Sequence, residues 1–384
     1  MVDWSNSCLS GQHPHPLDVD TMILTYKYRI KDRSARKALA RHAYAVNQVW
    51  NYCNALQRDV EARYRAGGPK RKWPTHFDLQ KITKGTSKLL GVHAQTVGSV
   101  CEQFAKSRDK AKHSLRFRAS VGARRALGWI PFQKQSRQVE NNTITYLGKQ
   151  FRWFGDKRRP LSETAKGGAF VEDARGRWHV CFHVEVAEDR PTGNAKIGID
   201  LGLKSMAACS DGVTIEAPRI YRRHEQRLAI AQRAGNKCRV KAIHAKIKNC
   251  RNDFIHKATA KIARDNALIA VGNVNSSTLA KTRMAKSVLD AGWSMFRSQL
   301  RYKASRHGAV YLNINEQFTT QTCSQCGALP PERPKGIAGL GIRAWECSSC
   351  GTSHDRDVNA ARNILALALS VERPVEESRR TTCR

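Results

Sequence analysis

The sequence predicts a multidomain α+β protein, and three observations carry that reading. A helix-like block fills residues 34–120, a β-rich block follows at 125–187, and from residue 197 strands alternate with helices. A chain of 384 residues has room for two or three domains.

Residues 1–21 carry no core pattern and read as a disordered extension. The stretch MILTYKYRI (22–30) alternates Tyr26, Tyr28 and Ile30 as a strand does. Residues 34–65 place Ala40, Ala43, Tyr44, Val46, Trp50 and Leu56 roughly at helical spacing, and Gly67-Gly68-Pro69 ends that helix. Helical pattern resumes over about 77–118, with Val97, Val100 and Phe104 apolar and Lys106, Arg108, Lys110 and Lys112 basic. The runs ITYLG, QFRWFG and WHVCFHVEV are then separated by Gly, Asp and Pro turns, which predicts a small sheet or barrel. A polar linker, AEDRPTGNAK (187–196), leads to IGIDLGLKSMAACSDG (197–212), a strand, a turn and a second strand. Beyond it the pattern gives basic helices at 222–265, a strand at 267–271, a helix at 278–306, a strand at 309–315, a cysteine-rich insert and a last helix from about 357. The tail after Glu372 has no packing pattern.

Charge narrows the function. Lys+Arg number 67 against 32 Asp+Glu, a formal net charge of +35. A surface this positive repels itself unless it meets a polyanion, and nucleic acid is the expected partner. A membrane surface is the alternative, but no apolar span or lipid anchor supports it. No secretory signal is visible in residues 1–20, so a reducing cytoplasm is expected and disulfides are not. Trp50, Trp73, Trp129, Trp153 and Trp293 read as core residues before base-stacking platforms. Arg116 and Arg118 are equally consistent with phosphate contact and with a solvated face.

Of twelve cysteines, four have ligand spacing. Cys323/Cys326 and Cys347/Cys350 are two CxxC pairs 20 residues apart, followed by Gly327 and Gly351. Four thiolates from two tight knuckles close a tetrahedral Zn²⁺ site with no open position, which makes the expected zinc structural. A redox dithiol would need only one pair. The remaining cysteines, Cys53, Cys101 and Cys181 among them, read as small buried hydrophobes.

The acids come last. Asp200 ends the strand IGID, and Asp355 and Asp357 lie in HDRDVNAARNI at a helix start. Taken singly, Asp200 fits a strand-end turn and Asp357 an N-cap. Together they fit a Mg²⁺-dependent nuclease, in which hard carboxylates at strand and helix ends hold the ions.

The segments GIDLGLKS, RNDFIHKATAKIA, FTTQTCSQCG and DRDVNAARNI, in this order around the cysteine pairs, resemble the TnpB family of transposon-encoded RNA-guided endonucleases, the presumed ancestors of type V CRISPR effectors. The start, YKYRIKD…RHAYAVNQVWN, is similar as well, and the resemblance spans about residues 22–366. It implies an RNase H-like RuvC nuclease domain (191–316 and 356–370) with an inserted zinc ribbon (317–355). It also implies a wedge-like β-barrel (22–33 and 121–190) and a helical recognition lobe (34–120), which leaves 371–384 as a flexible tail. The partners implied are a guide RNA from the transposon end and double-stranded target DNA, cut beside a short motif; the cofactors are catalytic Mg²⁺ and structural Zn²⁺. Localisation would be cytoplasmic, on the nucleoid. A guided DNA-binding protein that no longer cuts is the alternative, and an unguided zinc-ribbon protein a third reading.

The resemblance carries Asp200 over as the first acid of the site and Asp357 as the last. The middle acid, a Glu at a strand end, should fall at Gly272, and nothing ionisable at 266–280 replaces it. Either cutting has been lost, or the acid has moved. The next strand ends at Glu316. Neighbouring strands lie about 4.8 Å apart, a distance that a Glu side chain spans. The expected metal site is therefore Asp200, Glu316 and Asp357.

Overall fold

The computed structural model describes residues 21–381 apart from 33, 70–71, 156–160, 162–164, 188–192, 280, 283 and 336–337. The extension read at 1–21 thus lies outside the described residues except for Thr21. The chain divides into two compact units, Ile23–Val186 and the portion from Ala187 onward.

The first unit opens with β1 (Thr21–Arg29) and the long α1 (Ala35–Arg65). The helical stretch expected at 77–118 is three helices: α2 (His76–Ile82), α3 (Thr86–Leu90) and α4 (Ala94–Ala111). Gly85 and Gly91 sit at φ 89° and 61°, a left-handed backbone that interrupts the helical run. The α2 start is fixed by a capping box in which Thr75 and Asp78 satisfy each other's N–H. Val97, Val100, Cys101 and Phe104 of α4 are buried in one core with Leu39, Val46, Val49, Trp50 and Cys53 of α1. Cys53 and Cys101, read as lone hydrophobes, in fact face each other with Sγ atoms 3.9 Å apart. Arg118 is engaged inside the fold and is not left to phosphate or solvent. Its Nε donates to Asn47 Oδ1 (2.7 Å), its guanidinium lies 5.4 Å from the Trp50 ring centre, and burial lowers its pKa.

The β-rich part holds β2 (Trp129–Gln133), β3 (Gln138–Glu140), β4 (Thr143–Tyr146), β5 (Lys149–Arg152), β6 (Ala165–Glu172) and β7 (Trp178–Ala187). They form a four-stranded sheet, β1-β7-β6-β2, and a three-stranded sheet, β3-β4-β5. One bridge, Ile30 to Trp153, links the two. Among the described residues no pairing closes them into the expected barrel. Tyr28, Phe132, Tyr146, Phe151, Trp153, Phe170 and Phe182 fill the core.

The second unit is built on a five-stranded sheet. Its elements are β8 (Ala195–Asp200), β9 (Ser205–Cys209), β10 (Thr214–Glu216), α5 (Ile220–Arg233), α6 (Lys237–Asp265), β11 (Asn266–Gly272), α7 (Ser276–Leu279), α8 (Ala285–Ala291), α9 (Trp293–Arg306), β12 (Val310–Ile314), β13 (Ala344–Glu346), β14 (Ser353–Asp355) and α10 (Arg356–Thr381). The order is β10-β9-β8-β11-β12, with β8, β11 and β12 parallel. β11 is buried on both faces, as its continuous apolar run requires. Leu268 and Ala270 pack with Ile364 and Ala368 of α10, whereas Ile269 and Val271 pack with Ile255 and Ile262 of α6 and Phe296 and Leu300 of α9. The two basic helices part at Gly235 (φ 61°), and the expected 278–306 helix breaks at Gly292 (φ 70°). Gly198 is where α10 touches the sheet: a Cβ there would stand 2.1 Å from the Ala361 carbonyl oxygen. α10 itself runs past residue 371, where the sequence suggests a tail. No described helix is long and apolar enough to cross a membrane.

Candidate metal centres and acidic site

The four cysteine sulfurs lie within 4.8 Å of one another, and Cys323–Cys350 and Cys326–Cys347 are 3.6 and 3.8 Å apart. A tetrahedron with Zn–S bonds of about 2.3 Å has edges of about 3.8 Å, so the cluster fits zinc. Each knuckle is shaped by its own backbone. Gly327 and Gly351 donate to the carbonyls of Cys323 (2.9 Å) and Cys347 (2.8 Å), and they hold φ at 75° and 69°. The Thr352 hydroxyl, 3.3 Å from Cys350 Sγ, is the main cause that holds that thiol down to about 6.

The sequence reading missed His354. It is buried, stacks on Trp345 with ring centres 4.9 Å apart, and brings Nε2 to 3.0 Å from Cys323 Sγ. Burial lowers its pKa and favours the neutral ring. Asn359 and Asn363 were missed too. One turn apart on α10, both donate to the carbonyls of Thr319 and Thr322, and Asn359 Oδ1 accepts from the Ser324 N–H at 2.9 Å. Their signal was the i, i+4 spacing within DRDVNAARNI, which places both side chains on one helix face.

The acids gather at one end of the sheet. Val271 pairs with Ile199, so Gly272 follows at the level of Asp200. Gly272 in turn pairs with Ile314, two residues before Glu316. Asn273 ties the turn: its N–H donates to the Ile314 carbonyl at 2.9 Å. The Glu316 side chain folds back over Gly272. A Cβ on that glycine would stand 2.7 Å from Glu316 Oε2 and 3.3 Å from Ile364 Cδ1.

Asp200 feels both other acids. Burial, then the charges of Glu316 and Asp357, raise its pKa to about 7, and Arg356 partly opposes them. Burial raises Glu316 as well, offset by Arg297, with which it lines an open cleft. Asp357 lies in the first turn of α10, but it is not the cap; the Asp355 carboxylate accepts from the N–H groups of Asp357 and Val358, both at 3.0 Å. Asp357 is paired to Arg343 of the cysteine insert at 3.0 Å. Among the described residues, the cysteines alone form a group of His, Cys, Asp or Glu whose ligand atoms all come within 4.8 Å of one another. The three acids share a region, and their oxygens stand farther apart.

Comparison with known proteins falls on the same features. Residues 179–283 match the OrfB_IS605 family, described as "Probable transposase", and residues 293–364 match "Cas12f1-like, TNB domain". A "Putative RNA-guided DNA endonuclease" of Streptomyces pristinaespiralis is 36% identical over 246 residues, 58% of this chain and 60% of that protein. The "Putative RNA-guided DNA endonuclease InsQ" of Escherichia coli K12 is 27% identical over 231 residues, 52% of this chain and 56% of that protein. The chain thus matches a little over half the length of these relatives. The cryo-EM structure titled as a Cas12f1-sgRNA-target DNA complex contains a chain with the same fold: TM-score 0.56, 12% identity, covering 87% of this chain and 83% of that one.

The class is a mixed α/β protein of the Cas12f1 fold with a four-cysteine knuckle set at the root of an acid-bearing helix. Within that class its sequence is similar to the OrfB_IS605 and Cas12f1-like TNB families over those two stretches and to relatives named RNA-guided DNA endonucleases.

Proposed function

We propose that this protein is an RNA-guided, Mg²⁺-dependent DNA endonuclease of the TnpB type. It would cut DNA matched to a transposon-derived guide, next to a short motif. The names of its relatives support this, as does the charge of +35, which suits a nucleic-acid partner. The observation that carries cutting is the seat of Glu316. Its carboxylate fills the space above Gly272, level with Asp200, where the family's middle acid is missing.

On this reading Asp200, Glu316 and Asp357 hold the ion, and their hard oxygen donors suit it. When bound, Mg²⁺ supplies Lewis-acid stabilisation of the charge that develops on the scissile phosphodiester. To hold the ion, Asp200 would have to be deprotonated and Asp357 freed from Arg343. Cys323, Cys326, Cys347 and Cys350 hold structural zinc. The RuvC-like domain is 191–316 with 356–370, the ribbon 317–355, the recognition lobe 34–120 and the wedge 22–33 with 121–190; the protein works in the cytoplasm on the nucleoid.

One observation favours a guided binder that does not cut: the pairing of Asp357 with Arg343. A single experiment separates the two. The protein is expressed with its flanking locus, the bound RNA is sequenced, and a matched target library with randomised flanks is incubated with Mg²⁺. Cleavage that is lost in Glu316→Ala, with guided binding kept, supports the nuclease. Binding without cleavage by the wild type supports the binder, and absence of a defined RNA rejects both.

A further inference from the structure

Trp73 does not behave as the core residue its type suggests. It is half-buried and lines a pocket in the first unit. Tyr64 and Arg65, from the last turn of α1, line it too, with Lys112 and His113, just past α4; Lys72 precedes the indole. Tyr64 is 53% exposed, so its ring is available to a ligand.

Contacts around Trp73 fix its surroundings. Arg108, only 4% exposed, lies with its guanidinium 5.2 Å from the centre of the Trp73 ring and donates to the Pro74 carbonyl at 2.7 Å. The capping box that begins at Thr75 fixes the backbone two residues further on. The segment beyond His113 is laced to α1. Asn54 Nδ2 and Arg58 Nη2 both donate to the Leu115 carbonyl, at 2.9 and 3.0 Å, and Asn51 exchanges two bonds with Arg118. Trp73 and the segment past His113 are therefore preorganised, which lowers the ordering that binding must impose.

The charge around the opening is one-sided. Arg65, Lys72 and Lys112 are exposed, and neither lysine has an ion pair among the described residues. The single acid of the wall, Glu61, accepts from Gln57 at 2.8 Å and stands 4.0 Å from Arg65. Two aromatic faces with three cations at the rim match a flat ring that carries an adjacent anion.

We propose that this pocket takes one unpaired nucleotide of a nucleic-acid strand. The base stacks on Trp73 and Tyr64, and Arg65, Lys72 and Lys112 meet its phosphates. Stacking of this kind tolerates any base, and the rim cations add a salt-dependent part. With the proposed function it shares only the premise that the partner is nucleic acid; cutting plays no part in it.

The test uses the full-length protein and fluorescein-labelled 12-nucleotide strands of one sequence, as RNA and as DNA, titrated by anisotropy from low to high salt. At high salt, Tyr64→Ala and Trp73→Ala should each weaken binding roughly tenfold, and Trp73→Phe should keep most of it. Lys72→Ala with Lys112→Ala should flatten the dependence of log affinity on log salt by about 1.4, the change expected for two lost phosphate contacts on a single strand. A 4-thiouridine strand should photo-crosslink to a peptide that holds Tyr64 or Trp73. Tighter binding of RNA places the nucleotide in a guide, and tighter binding of DNA in a target strand. Unchanged affinity in Tyr64→Ala, or equal loss in Trp73→Phe and Trp73→Ala, overturns the pocket. Wild type that binds neither strand overturns the nucleic-acid premise itself, and that outcome is distinct from loss of cleavage.

Discussion

At the scale of single residues, Gly272 and Glu316 act as one feature. The nearest atom that a new Cβ at 272 meets is the end of a flexible side chain, so the carboxylate would move and the backbone would not. Gly272→Ala is expected to leave the melting temperature nearly unchanged and to reduce cutting about 100-fold, because roughly an ångström of misplacement is felt that strongly. Calorimetry and a cleavage time course on the same preparation check this; a large melting shift would contradict it. Asp200 gives a pH prediction. Its folded pKa, about 7, stands above the ordinary carboxylate value, so the folded state prefers the protonated acid. In metal-free protein its burden is absent below about pH 4, grows as pH rises toward 7, and is complete above that. Asp200→Asn should therefore raise the metal-free melting temperature at pH 8, on the order of 5 °C, and change little at pH 4. Equal shifts at both pH values would remove the charge explanation.

At the scale of elements, α10 connects the cysteine cluster with the acidic end of the sheet. Its first turn carries Asp357, its inner face meets Gly198, and Asn359 and Asn363 hold the carbonyls that lead into the first knuckle. Cys347→Ser should lower bound zinc from about one ion per chain to near none by metal analysis, with weakened folding or nucleic-acid binding. His354→Leu is expected to retain four thiolates but to lose zinc faster to a chelator, by about 10-fold or more, whereas His354→Gln keeps a donor and most of the affinity. The cysteine spacing was legible in sequence because a metal imposes a fixed local geometry. The strands were legible because β8, β11 and β12 are short and apolar. The subdivision of the helices was less so: Gly85, Gly91, Gly235 and Gly292 lie inside patterns that would otherwise run on, and periodicity does not register one left-handed residue. Nor could spacing show that Arg343 pairs with Asp357, since the two meet only once the insert has folded.

At the scale of the whole molecule, the net charge gives a prediction about association. With a formal +35, non-cognate RNA affinity should fall steeply and linearly on a log–log plot against salt, and a flat plot would contradict binding through phosphate contacts. Composition alone pointed to a polyanion partner. It did not show whether the β-rich segment closes, because closure depends on pairing between strands far apart in the chain. Among the described residues that segment forms two sheets, with the bridge from Ile30 to Trp153 between them.

The seat of Glu316 also bears on how such a site can change hands during descent. If an ancestor carried its glutamate at 272, two routes lead here. Losing that acid first leaves a molecule without either, which Glu316→Ala recreates. Gaining the second acid first leaves a molecule with both, which Gly272→Glu recreates, two carboxylates in the room of one. Because the obstructing atom is the tip of a mobile side chain, the doubly acidic form is the passable one. Gly272→Glu should therefore cut measurably in the same time course in which Glu316→Ala does not, and on that outcome the handover between the two strands ran through a stage of redundancy, with no inactive intermediate in the lineage.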